Sequence, residues 1–196
     1  MRACVLVLMA IGAAVPAAAQ PPAQAPAPQE PVVIAGPPPP PATALEAFNV
    51  PPGQVLMTAY EELGQVAGVF VEAREVRDGR TRRLRGIVVT IAGRQSTPEQ
   101  AFVDLDELGD LMKAFDTLLG ITTSQSGQFN NFDMRYSTRG ELVLTASSTR
   151  RSGVIYGVEV GRVLHTRRPL NGGEFSQLRT LVEAAQQKIA TLRDER

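Results

Sequence analysis

Apolar residues recur at three- and four-residue spacing in two stretches of the chain, and the two stretches are copies. The first, Ala101 to Gly120, carries Leu108, Leu111, Ala114, Phe115 and Leu118. Sixty-seven positions later stand Phe175, Leu178, Leu181, Val182 and Ala185, so every apolar position meets an apolar one. This spacing puts each set on one side of a helix. Asp104 and Glu107 recur as Asn171 and Glu174, a cap residue and the acidic residue three places on that can reach back to it. The pattern predicts helices from about Leu105 to Leu119, stopped at Gly120, and from about Gly172 towards Asp194. The second stripe continues through Ile189 and Leu192, which have no counterparts in the first copy.

Period-two patterns fill the space before each helix. Ala67 to Val76 places Val69, Val71, Ala73 and Val76 inward. Asp78-Gly79 signals a hairpin turn, Leu84 to Ala92 returns as a strand rich in Ile and Val, and a short strand follows at Ala101 to Val103. Gln54 to Val66 mixes helix formers with strand spacing at Leu56, Thr58 and Tyr60, and is read as a strand because the second copy requires one there. That copy has Phe132 to Thr138 and Glu141 to Ser147 turning at Arg139-Gly140, then Gly153 to Val160 and Arg162 to Arg167 turning near Gly161. Pro169 suits an edge strand. The offset of the helices also maps Gly86–Val89 onto Gly153–Tyr156. The expectation is an α+β fold: an internally duplicated antiparallel unit of about four strands then one helix, over about 54–120 and 132–194. Each copy would bury one sheet face under its own helix.

The amino-terminal region differs in kind. Residues 1–19 combine Arg2, an apolar run from Ala3 to Ala14 and Ala17-Ala18-Ala19, which reads as a signal peptide for export, to the periplasm or outside the cell. Cys4 is the single cysteine, so a cleaved chain has no disulfide, thiol nucleophile or thiolate metal site. Residues 20–43 are rich in Pro, Ala and Gln, with an unbroken proline run from Pro37 to Pro41, and read as a stiff tether or a ligand for a proline-binding groove. Residues 44–196 are left for one α+β domain, opening with a helical turn at Leu45–Phe48.

Lysine plus arginine number 20 against 20 acidic residues, which gives no global field to draw in nucleic acid. Candidate chemistry is thin. Arg80, Arg82, Arg83 and Arg85 form a basic patch able to bind an anion or a single-stranded nucleic acid, with Arg150, Arg151, Arg162, Arg167 and Arg168 adding charge later. Charges that keep an exposed strand edge from pairing account for the same residues. Few aromatics accompany them beyond Tyr136 and Tyr156. Asp104, Asp106, Glu107 and Asp110 are dense enough to suggest Ca²⁺, but lack the turn glycine and distal acid of a calcium loop. Caps and a solvated helix face explain them. His165 is the lone imidazole, and no G-x-S-x-G motif accompanies it. A Ser/Lys dyad or a carboxylate pair stays open. No cofactor, metal or catalytic residue is assigned.

Ala44–Phe48, Tyr60-Glu61-Glu62-Leu63-Gly64, Val103–Leu108 and Tyr136-Ser137-Thr138-Arg139-Gly140 together resemble a family of small exported bacterial proteins, over roughly residues 44–194. The resemblance implies export and no activity. The order of elements is also similar to that of Whirly and PC4-like single-stranded DNA-binding domains. The sequence therefore leads to a non-enzymatic exported domain that binds an unknown protein partner or forms a homo-oligomer, through a sheet face or the long second helix. Ile189 and Leu192 are the candidate partner face; the Arg80–Arg85 patch is the alternative.

Overall fold

The computed structural model describes residues 40–79, 82–92, 98–121, 131–149, 153–162 and 165–192. The signal-like segment, the tether before Pro40, Arg80, Arg150, Arg151 and Asp194 lie outside the described residues. Everything described falls within one compact unit, Pro37–Arg196.

A helical turn, α1 (Ala44–Ala47), precedes a sheet of β1 (Leu56–Val66), β2 (Val69–Asp78), β3 (Arg83–Ile91) and β4 (Glu99–Asp104). A 3-10 turn over Leu105–Glu107 leads into α2 (Leu108–Leu119). The second sheet contains β5 (Phe132–Ser137), β6 (Val143–Thr149), β7 (Gly153–Val160) and β8 (Thr166–Leu170), followed by α3 (Gly172–Thr191). Both sheets are antiparallel meanders in chain order. The chain is thus an α+β fold of two repeated sheet-plus-helix units, and residues 56–66 are strand.

Strand pairing refines the internal repeat. Val103 and Leu170 are 67 positions apart, yet they pair with Ile87 and Tyr156, which are 69 apart. The connection 161–165 is two residues shorter than 92–98, and the difference is absorbed there. Gly86–Val89 therefore corresponds structurally to Ile155–Val158 rather than to Gly153–Tyr156. A slip of two keeps every side chain on its own face, so the hydrophobic pattern could not reveal it.

The helices are exchanged relative to the expectation. Packing of α3 is against β1, β2 and β3 of the first sheet, reaching β7 and β8 as well, while α2 packs on α3 and β6. The reason is geometric. One core contains Val69, Val71, Ala73, Ile87, Val89 and Ile91 from the first sheet and Leu142, Leu144, Ala146, Tyr156, Val158 and Val160 from the second. A helix between two such faces serves both. Phe175 stands at the centre, its ring 5.0 Å from that of Phe115 and stacked 4.7 Å from that of Tyr156. Phe175, Leu178, Val182, Ala185 and Ile189 are all fully buried along one stripe of α3. Asn171 and Glu174 form the expected capping box.

Asp104 departs from expectation. It sits at the junction before the 3-10 turn but makes no side-chain cap to it. Its carboxylate instead accepts from the backbone N–H of Ala44 at 2.8 Å and of Leu45 at 2.9 Å. It therefore caps α1, a segment some 60 residues earlier in the chain. This fixes Leu45 into a second, smaller core with Val76 and Val88, flanked by Phe48, Leu84 and Phe102, on the far face of the first sheet. Val76 thus points away from the main core, not into it. Gly140 explains how the β5–β6 turn fits against β4: a Cβ there would lie 1.8 Å from the Phe102 carbonyl oxygen.

Leu45→Ala should cost about 2–5 kcal/mol and Asp104→Ala about 1 kcal/mol or more, read as lower urea midpoints at unchanged slope. A change within about 0.5 kcal/mol for both would show that α1 is not part of the cooperative fold.

Candidate functional site

Two surfaces carry the residues singled out by the sequence. The first is the basic patch. The inner face of the first sheet continues past the main core as Glu75, Arg77, Arg83 and Arg85. The Glu75 carboxylate is buried, 7 % exposed, and is met by Arg85 at 2.7 Å, Arg83 at 3.4 Å and Arg77 at 4.0 Å. Arg85 also donates through Nη2 to the carbonyl oxygen of Leu192 at the carboxy-terminal end of α3. A cation there completes a carbonyl left without a helical partner and opposes the negative end of the helix dipole. Arg82 faces the other way, paired to Asp78 at 2.8 Å and lying over the Phe48 ring at 4.9 Å. The described arginines of the patch therefore brace the sheet, its β2–β3 turn and the end of α3.

An open cleft of about 650 Å³ adjoins this patch. It exists because β4 pairs with β3 only as far as Gly86 opposite Asp104, then leaves as the 3-10 turn. The cleft is lined by Ala44, Arg83, Leu84, Arg85, Asp104, Leu105, Asp106 and Arg139. Arg139 is occupied by acid, with Asp106 at 2.5 Å, Glu107 at 3.2 Å and Asp104 at 3.6 Å. The hydrogen bonds it donates to the Asp106 and Glu107 carboxylates hold its guanidinium above the ordinary arginine value. Nearby, burial and then the carboxylates of Glu107 and Asp110 push the Tyr136 phenol upward. The acidic cluster thus divides between Arg139 and, for Asp110, Lys113 at 2.9 Å. Among the described residues, no group of three or more His, Cys, Asp or Glu side chains is placed to hold a metal ion. His165 lies exposed at the start of β8, with Nδ1 3.5 Å from Glu159.

The second surface is the expected partner face on α3. Ile189 is 1 % exposed and packs in the domain's own core, whereas Leu192 is 40 % exposed. Only Leu192 of the pair is open to solvent.

The larger apolar exposure lies on β1. Val55 is 76 %, Tyr60 70 %, Leu56 44 % and Met57 43 % exposed. Because α3 crosses the sheet at its far end, with Leu181 over Gly64 and Lys188 paired to Glu61, the first half of β1 has no cover on either face. β1 is also a sheet edge, and at eleven residues the longest of the four. Edge strands are normally blunted by shortness, charge, proline or a bulge. β4, β5 and β8 are five or six residues long, and β8 contains Pro169. On β1 the register break lies between Glu62 and Gly64, leaving Leu56–Tyr60 regularly paired to β2 and without a charge. The sequence signal was the uncharged run from Phe48 to Tyr60: strand spacing within it shows no polar face.

No family model, curated protein or solved structure matches the chain. Among the described residues no helix is long and apolar enough to cross a membrane.

Glu75→Gln removes the anion shared by Arg77, Arg83 and Arg85 and should make the domain adhere to heparin or single-stranded DNA in a salt-sensitive way, where the natural chain does not. Elution of both at the same salt concentration would show that Glu75 is not what keeps this patch neutral.

Proposed function

We propose that this is an exported, non-enzymatic domain of the cell envelope that acts by binding protein, either another chain or a second copy of itself. The observation that carries the reading is the β1 edge. An uncharged, apolar strand edge is an aggregation hazard in a free monomer, and it is also the feature that β-strand addition uses for recognition. Main-chain groups along the open side of the strand supply affinity, and alternating side chains supply selectivity: Leu56, Thr58 and Tyr60 on one face, Met57 and Ala59 on the other. Tyr60 suits the centre of such a contact, since it offers a large apolar ring with a polar tip.

Two further features support binding over chemistry. The titratable side chains of the cleft meet one another as ion pairs, with Arg139 held by three carboxylates and Glu75 by arginines. The proline-rich residues 20–43 read as a stiff spacer that carries the domain away from whatever lies behind it. The anion-binding alternative would need the arginines to exchange these internal partners for a ligand.

Crosslinking and capture from the native envelope should give a saturable protein adduct with the natural chain. Leu56→Lys with Tyr60→Lys should abolish it while the unfolding midpoint stays within about 0.5 kcal/mol. Capture unaffected by the pair would remove β1 as the binding element.

A further inference from the structure

We infer that the occupant of the β1 edge is the β1 edge of a second copy of this chain, joined antiparallel about a two-fold axis through Thr58. The inference rests on the binding role proposed above and names the partner. Its basis is that the strand is self-complementary in one register. With Thr58 opposite Thr58, Leu56 of each copy faces Tyr60 of the other, and Met57 faces Ala59. An aliphatic–aromatic pair on one side of the seam thus forms twice by symmetry. The two carboxylates of the strand avoid each other: Glu61 falls opposite Val55, and Glu62 opposite Gln54.

The neighbouring strand adds no like-charge conflict. On β2, Arg74 lies opposite Tyr60, Val76 opposite Thr58 and Asp78 opposite Leu56. The two outer rows through the seam on this face therefore run from Arg74 of one copy, through Tyr60 and Leu56, to Asp78 of the other. On the opposite face the corresponding row runs from Arg77 through Met57 and Ala59 to Glu75. Unlike signs stand at the ends of these rows and the central Val76–Thr58–Thr58–Val76 row is uncharged, so no like charges are brought together; within each copy Arg74 is paired to Glu72, Asp78 to Arg82 and Glu75 to Arg85. Arg77 is already turned towards the seam, its Nε 3.0 Å from the Met57 sulfur. Across the seam, Glu61 of the second copy stands diagonal to Met57, at about 7–8 Å between backbones, within reach of an arginine.

Other registers lose these matches. Centring on Ala59 sets Glu61 against Met57 and Glu62 against Leu56, and centring on Glu61 or Glu62 sets a carboxylate against itself. The flat part of the edge also ends where the register requires. The bulge between Glu62 and Gly64 lies just beyond the last strand pair, Tyr60 opposite Leu56, and Gly64, at φ +136, has Leu181 of α3 3.2 Å from where a Cβ would stand. The strand beyond it is thus held by its own helix. The result is one continuous eight-stranded sheet across two copies. The proline run at 37–41 is a poor competitor for the same edge, because proline has no N–H to give to a ladder.

The test uses the full chain with Cys4→Ser. Sedimentation across a concentration series should show a monomer–dimer equilibrium. Tyr60→Lys should weaken it at least about tenfold with an unchanged circular dichroism spectrum and unfolding midpoint. Added to this background, Thr58→Cys should yield a disulfide-linked dimer under mild oxidation, since directly opposed residues lie about 4.5–5.5 Å apart between Cα atoms. Glu62→Cys should not, its copies being about 27 Å apart at eight strand residues. A monomer at all concentrations overturns the self-pairing, as does a dimer that crosslinks at position 62 and not at 58. If the monomer still captures an envelope protein in a manner lost with Leu56→Lys and Tyr60→Lys, the binding role stands with a different partner. If neither association depends on those residues, both readings fall.

Discussion

Everything in this fold depends on where the apolar stripe of α3 is buried. Phe175, Leu178, Val182, Ala185 and Ile189 form a single line along the helix, and that line closes the inner face of a sheet built about a hundred residues earlier. The second unit therefore supplies the cover of the first. Neither sheet-plus-helix unit is a folding domain in its own right, because removing either would leave a fully apolar sheet face or helix stripe in water. With burial worth roughly 25 cal/mol per Å² of apolar surface, that exposure would outweigh the few kcal/mol by which a domain of this size is usually stable.

The same placement decides what is left for function. A helix of twenty residues is about 30 Å long. As α3 crosses the first sheet it engages β1 from Glu61 onward, with Lys188 paired to Glu61 and Leu181 over Gly64, and it ends where Arg85 caps Leu192. Beyond that reach the sheet is finished in two different ways. On β2 and β3 it is closed by the Glu75 arginine cluster, a polar layer that needs no cover. On β1 it is left apolar. The described arginines of a patch that looks like a ligand site in the sequence meet Glu75, Asp78 and the end of α3, and the exposed apolar surface is the strand beside them.

The legible part of this architecture was periodicity. Two helical stripes and eight strand-like segments could be placed because burial forces periods of 3.6 and 2 on the chain, and the antiparallel order followed from short turns at Arg139-Gly140 and Gly161. What pattern alone could not reveal was pairing at a distance. Asp104 carries the chemistry of a cap, but nothing local says that the helix it caps begins at Ala44. Ile189 and Leu192 continue one stripe, yet only the position of the first sheet determines that the former is buried and the latter half-exposed. Arg83 and Arg85 read as an anion-binding patch because Glu75, which they share with Arg77, is one acidic residue among many until β2 and β3 are paired. The β1 surface was hidden for the converse reason: strand spacing was visible, but exposure on both faces depends on the length of a helix 120 residues away.

The most direct test of the shared core is native-state hydrogen exchange with the full chain. Amides in β2 and β3, in β6 and β7, and in the centre of α3 should exchange with one common free energy equal to that of global unfolding, because a single packed layer holds them. Two distinct plateaus, one for each sheet, would mean that the units open independently and would contradict the account.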